Sequence, residues 1–326
     1  MTSSTRRIIA VANGQLGLFT RGQANGVGMT DAQLRSRVQS GTLFQVGTST
    51  FRLPGAPTTP HAELLALILD IGEPVWASGP TAAALHGFDG FALRPPFDVT
   101  TTRDRNVRRV GHRIHTTGSL DLIDRAMIGG IPTTSAARTL IDLARTASIE
   151  QLTVAFDSGL RDGRFSESFV HRRIVALRAS GRYGIPRLLA AIDGVDARRG
   201  GHSWLEREYL RLIADAGLPR PTTQAVLARV RRGDEQRHVR VDVHFPDTPV
   251  VVELLGYRFH RTKDEMRRDA ERMNALVAQG MRPFQFTYEQ VVEHPADVVA
   301  TTVAALAPFT RPQRSFLARW VDRRSA

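Results

Sequence analysis

Residues 241–260 read VDVHFPDTPVVVELLGYRFH, two valine-rich runs around a Pro-Asp-Thr-Pro turn. Such runs bounded by proline and aspartate are strand signals, and the turn joins them into a hairpin. Each run carries one carboxylate, Asp242 and Glu253. A short hairpin brings such positions close together on neighbouring antiparallel strands. Two acids in an apolar sheet repel each other, and each is costly to bury uncompensated. Two compensations are open. A divalent cation, Mg2+ or Mn2+, held by Asp242 and Glu253 would neutralise both, lower the pKa of a bound water and polarise a phosphodiester. Alternatively each acid pairs with an arginine, such as Arg240 or Arg282. The first arrangement hydrolyses nucleic acid; the second only holds a fold.

The elements that position these acids follow from periodicity. SWLEREYLRLIADAGL, beginning at Ser203, carries Leu205, Tyr209, Leu212, Ile213 and Ala216 on one helical stripe. Strands are expected over 222–230, 237–246 and 249–255. A helix follows over 262–279, with Met266, Ala270, Met273 and Val277 turned inward and Gly280 ending it. PFQFTYE reads as a fourth strand and DVVATTVAALA as a closing helix. The order αβββαβα is that of the restriction-endonuclease-like, PD-(D/E)XK core. Glu206, on the first helix, could add a further acid to the site, although Ser203 and Glu206 also spell a capping box that accounts for it locally. Lys263, the one lysine in the chain, sits just beyond the second acidic strand. Asp269 and Arg272 are spaced as an ordinary helix pair.

The segments RVDVHFPDTPVVVELLGYRFH and RRDAERMNALVAQGMRPFQFT resemble a family of very-short-patch-repair-like domains of the PD-(D/E)XK endonuclease fold. The resemblance covers roughly 203–300. It implies catalytic and metal-binding roles for Asp242 and Glu253. It implies a general acid/base or phosphate-contact role for His260, four residues past Gly256. Arg268, Asp269 and Arg272 match the family's helix motif, and Leu276, Gly280 and the strand ending at Thr287 match as well. The departure is Leu255, which stands where the family has Asp and where ordinary enzymes of the fold have the Lys that polarises the nucleophile. Leucine can do neither, so His260, Lys263 or Glu206 would have to take that part.

The N-terminal stretch 1–56 is laid out differently. RRIIAVAN predicts a short helix ending near Gly14. Thr20 caps a second helix that stops at Gly26, and Thr30 with Gln33 forms a capping box on a third that ends at Gly41. Val27, Leu34 and Val38 face inward; Gln33, Arg35, Arg37 and Gln39 are left outside. TLFQVGTSTFRLPG predicts a hairpin around Gly47-Thr48. Three helices and a hairpin make a winged helix-turn-helix, whose third helix could contact base edges in the major groove. A merely solvated helix face is the alternative. The block GLFTRGQANGVGMTDAQLRSRVQSGTLFQVGTSTFRLPG resembles the N-terminal domain of AbiEi-type antitoxins. PVWASGPTAAALHGF and IPTTSAARTLIDLA extend the likeness loosely to about residue 145. It implies DNA binding and transcriptional control rather than catalysis.

Residues 57–147 predict a mixed α/β middle domain. Its basic run RDRNVRR either grips phosphates or is a solvated loop, and His112 and His115 read as structural. Residues 148–200 predict a helical connector, with DARRGGHS at 196–203 as the linker into the nuclease-like domain, 201–310. The tail 311–326 places Phe316, Leu317, Trp320 and Val321 at helical spacing among arginines, as a docking helix with a basic face.

Composition sets the frame. The net charge of +12 favours polyanions, most simply double-stranded DNA. The absence of cysteine excludes disulfides and thiolate metal sites and suits the cytoplasm. No apolar run reaches membrane-helix length, and AELLALIL stops at Asp70. The expectation is a cytoplasmic, multidomain α/β protein that binds double-stranded DNA, not a membrane; a toxin partner or a homodimer is left open. Its leading function is Mg2+-dependent DNA cleavage or nicking by an endonuclease-like domain. The alternative is an antitoxin-like transcriptional regulator whose nuclease fold is catalytically inactive.

Overall fold

The computed structural model describes residues 3–178, 184–199, 203–232, 235–256 and 263–309. The chain divides into two compact units, Met1–Phe169 and Val170–Ala326, each of mixed α/β content. No helix of the described residues is long and apolar enough to cross a membrane.

Capping chemistry starts the first unit. Helix α1 (Ser3–Asn13) leads to β1 (Leu18–Thr20), α2 (Arg21–Gly26), α3 (Asp31–Gln39), β2 (Phe44–Gln45) and β3 (Thr50–Arg52). The hydroxyls of Thr20 and Thr30 accept from the amides of Gln23 and Gln33, whose side chains reach back to the threonine amides, so α2 and α3 begin where expected. Ile8, Phe19, Met29, Leu34, Leu43 and Phe51 close a core beneath these helices. The hairpin gains a third strand, in the order β1-β3-β2, with Phe19 opposite and stacked on Phe51. Only three residues long, β1 has no period of its own to announce it.

The first unit continues with α4 (Pro60–Ile71), β4 (Val75–Ala77), α5 (Gly79–His86), β5 (Asp98–Thr102), β6 (Arg113–Thr117), β7 (Arg125–Ile128), β8 (Ile131–Thr134), α6 (Ala136–Leu143) and α7 (Ile149–Arg161). The sheet order is β6-β5-β4-β8-β7. Because β5 and β6 are parallel neighbours, residues 103–112 must cross from one end of the sheet to the other. That crossing is the basic run, and two of its arginines finish α4. Arg105 donates to the carbonyls of Ile71 (2.7 Å) and Gly72 (2.6 Å). Arg109 donates to the Asp70 carboxylate (2.6 Å) and carbonyl (2.9 Å). Guanidinium groups here satisfy the last carbonyls of a helix and its negative end. Arg103 and Arg108 stay exposed. His112 stacks on Phe97, and His115 Nε2 lies 2.9 Å from the buried Asp98, so both histidines are structural.

Asp70 also holds the hairpin. Its Oδ1 accepts from the Ser49 amide (2.6 Å) and from the hydroxyls of Ser49 and Thr50. The approach is so close that a Cβ on Gly47 would lie 2.5 Å from that oxygen, which explains a glycine there.

The second unit contains most of α8 (Glu167–Leu177), then α9 (Ile185–Arg199), α10 (Trp204–Asp215), β9 (Thr222–Arg232), β10 (Glu235–His244), β11 (Val250–Leu255), α11 (Lys263–Ala278), β12 (Arg282–Thr287), α12 (Tyr288–Glu293) and α13 (Pro295–Leu306). The division falls within α8, not at the glycine pair of 196–203. Packing explains this. His171 of α8 stacks on Trp204 of α10 at 3.7 Å and places Nδ1 2.5 Å from the Tyr288 hydroxyl, while Arg178 pairs with Glu289. Burial holds the His171 pKa down at about 3, with Arg207 acting in the same direction, so the ring packs as a neutral group. Of the segment expected as a connector, α7 thus belongs to the first unit and α9 to the second.

The four-stranded sheet runs β12-β11-β10-β9, parallel between β11 and β12 and antiparallel elsewhere. Tyr209 of α10 stacks on Phe286 and bonds Thr302 of α13. Helix α11 covers Val239, Val241 and Val251 with Leu276. Its inward stripe differs from the expected one. Met273 is half-buried, but Met266 and Val277 are 58% and 57% exposed, and Asp269 and Arg272 turn inward instead. The reason lies on the sheet beneath.

Candidate functional site

Strand register gathers one polar residue from each strand of the second sheet. Thr223 and Ala225 pair with Val243 and Val241, which sets Gln224 opposite Asp242. The β10–β11 ladder ends at Val243↔Val252; Asp242 and Glu253 are the next residues along, close enough that Asp242 adds to burial in pushing the Glu253 pKa up, and Glu253 pairs with Gln285. The row is therefore Gln224, Asp242, Glu253, Gln285. Gln224 takes a left-handed backbone (φ 54°), a conformation that a non-glycine residue rarely adopts. Its side chain donates to Glu206 Oε1 (3.1 Å), which joins α10 to the row. Ser203 caps α10 through the Glu206 amide (3.3 Å), while the Glu206 carboxylate reaches across to β9.

The two acids are compensated in different ways. Asp242 Oδ2 accepts from the Leu254 amide (2.8 Å), standing in for a carbonyl where the ladder stops. Glu253 is 2% exposed and meets Arg272 Nη2 at 2.5 Å. Arg272 Nη1 donates to the Arg240 carbonyl (3.3 Å), at the bulge between Val239 and Arg240. This demand for a cation explains the rotation of α11: an unpaired buried carboxylate costs more than two exposed apolar side chains. The arginine partner is thus neither Arg240 nor Arg282. The Arg240 residue is exposed and contributes its carbonyl, and the Arg282 guanidinium lies over Phe309.

The compensation is incomplete. Glu253 Oε1 and Arg272 Nε are buried with no hydrogen-bond partner among the described residues. Burial pushes the Glu253 pKa up to about 7; Arg272 opposes that rise, and Asp242 and Asp269 add to it. A divalent cation would fit the orphaned oxygen, with Glu253 and Asp242 as its holders, and would supply an activated water. No group of three or more His, Asp or Glu side chains gathers for a metal among the described residues. Leu255 is half-buried and pairs with Thr287. His260 and the Lys263 side chain lie outside the described residues, as does the tail 311–326. Gln224 and Gln285 carry no signal in the sequence, because only the strand register sets them beside the acids.

In the first unit, the four outward candidates of α3 separate. Arg35 and Gln39 are exposed. Gln33 is spent on the capping box, its Oε1 accepting from the Thr30 amide at 2.9 Å. Arg37 is half-buried and donates to Thr5 Oγ1 of α1 (2.7 Å), so it ties two helices together rather than standing free.

No family model matches the chain, and no curated protein matches it. Among solved structures, the chain is similar to the RV2827C protein from Mycobacterium tuberculosis, with 13% identity and a TM-score of 0.33, over 59% of this chain and 81% of that one.

Proposed function

We propose that the chain is a DNA-binding protein in which a winged helix-turn-helix, α1 to β3, reads the duplex and a PD-(D/E)XK-type domain in the second unit cuts or nicks it with Mg2+ or Mn2+. The observation that carries this reading is the polar row, which brings Asp242 beside Glu253 in the middle of a sheet with αβββαβ order. The net charge of +12 supports a polyanionic substrate. In the site, Asp242 and Glu253 would hold the cation, and the Gln224–Glu206 hydrogen bond ties α10 to β9, the strand beside the one that carries Asp242. Supercoiled plasmid with Mn2+ is expected to be nicked by the wild type and left intact by Asp242→Asn. If plasmid conversion is the same for both proteins, this site does not cut.

A second reading is favoured by one observation, the arginine on Glu253, together with Leu255 in place of an acid. In it the second unit binds DNA without cutting, and the chain is an antitoxin-like regulator. Nicking absent under Mg2+ and Mn2+, with sequence-specific binding retained, selects this reading.

For DNA reading, the exposed pair on α3 is the part to remove. Arg35→Ala with Gln39→Ala is expected to weaken duplex binding by about 1–3 kcal/mol and to relax sequence preference. Arg37→Ala is expected to loosen α1 from α3 instead. Fluorescence anisotropy at several salt concentrations checks this, and an unchanged affinity for the double variant removes α3 as the reader.

A further inference from the structure

We propose that Arg272 is a built-in counter-cation that competes with a divalent metal for Glu253, so that the site takes up metal only when the guanidinium leaves. The inference rests on the metal-dependent reading of the second unit and adds a regulatory contact to it.

The geometry of the pair carries the argument. A guanidinium meeting a carboxylate face to face makes two parallel bonds. Here there is one, Nη2 to Oε2 at 2.5 Å. Nη1 is drawn off to the Arg240 carbonyl, which the bulge at Val239/Arg240 turns toward α11. Nε and Oε1 are left buried with no hydrogen-bond partner among the described residues. Each partner therefore keeps an unmet demand, and a buried polar atom left unmade is the costly case. Arg272 neutralises Glu253 without satisfying it.

The two partners differ in freedom. The Glu253 side chain is 3% exposed and sits in a central strand; it cannot leave. The Arg272 side chain is 33% exposed on a helix whose neighbouring positions, Arg268 and Glu271, are open to solvent. A long cationic side chain there can swing its head into water while its stem stays on the helix. A divalent cation brings twice the charge, can engage both Glu253 oxygens, and gains Asp242 as a second carboxylate. The guanidinium and the metal cannot both hold Oε2. Arg272 thus serves as the resting occupant and the metal as its replacement.

The test uses the full chain at pH 7.5 and Mn2+ as the probe, read as the thermal midpoint across a Mn2+ titration and as free Mn2+ by electron paramagnetic resonance. Arg272→Gln is expected to bind Mn2+ about ten-fold more tightly than the wild type, a difference of ~1.4 kcal/mol. Adding Asp242→Asn to it is expected to abolish that gain. Equal Mn2+ affinity in wild type and Arg272→Gln overturns the competition and leaves the metal-dependent reading standing. No Mn2+ binding by either protein overturns both. Should Arg272→Gln fail to fold, Arg272→Lys, which keeps the charge but lacks the reach to hold Arg240 and Glu253 together, is expected to fall between; an affinity equal to wild type overturns the proposal.

Discussion

Arg272→Met is expected to destabilise the second unit by about 3 kcal/mol at pH 8, and by much less at pH 5. Methionine keeps most of the stem and removes the cation, so Glu253 is left buried without its counter-charge. The sign of the pH effect follows from the Glu253 pKa, which burial raises from 4.5 to about 7. Between those values the folded chain holds a proton that the unfolded chain releases. Stability from this group is therefore highest below about 4.5, falls as pH rises to about 7, and levels off above. Without Arg272 the upper end of that window moves further up, because the one lowering influence is gone. At pH 5 the carboxyl is protonated in both proteins, and the loss is mostly packing. Native-state hydrogen exchange of the Leu254 and Leu276 amides at the two pH values reads the second unit alone. Equal destabilisation at pH 5 and pH 8 would show that Arg272 works by filling space rather than by charge.

Asp70→Ala is expected to cost the first unit about 3–5 kcal/mol, the range for breaking a buried, hydrogen-bonded ion pair by removing one partner. The carboxylate is buried between the hairpin tip, the end of α4 and the basic crossover. Its loss strands the Ser49 amide and the hydroxyls of Ser49 and Thr50 and removes the counter-charge of Arg109, which keeps only its bonds to the backbone carbonyls of residues 70 and 108. Burial pushes the Asp70 pKa up, but the Ser49 amide, the Arg109 side chain and the Thr48 amide outweigh it and hold the group below the usual carboxylate range. A depressed carboxylate contributes stability above its unfolded pKa and loses it as pH falls through the folded one. The gap between wild type and Asp70→Ala is therefore expected to be widest near neutrality and to narrow in strong acid. Urea unfolding followed by hydrogen exchange at Phe51 and Leu67 measures it. A gap that does not narrow below pH 3 would show that the residue acts through shape, as the tight fit at Gly47 already does in part.

Much of this architecture was legible along the chain. Thr20 with Gln23 and Thr30 with Gln33 start α2 and α3, because a cap and its partner lie within one turn of each other. The valine runs and the Pro-Asp-Thr-Pro turn place β10 and β11 within a few residues, because alternation and turn chemistry are local. The presence of two carboxylates in that hairpin, and the need to compensate them, was equally visible. So was the structural character of His112 and His115.

What lay beyond reach was the identity of the partners. The apolar spacing of Met266, Ala270, Met273 and Val277 makes a proper helical stripe, yet α11 turns Arg272 and Leu276 inward. Periodicity ranks faces by hydrophobicity alone, while a buried carboxylate facing the helix outweighs two methyl-rich side chains. Asp70 read as the end of an apolar run; only the folded chain brings Ser49 and Arg109, distant in sequence, onto its oxygens. Arg37 read as an exposed contact until α1 supplied Thr5. The amino-acid order by itself determined where α2, α3 and the β10–β11 hairpin begin and that two acids must be balanced, since those demands act within a turn or a hairpin. Register and helix rotation decided that Arg272 balances one, the Leu254 amide the other, and that Gln224 and Gln285 complete the row, since each depends on packing between segments that no local pattern connects.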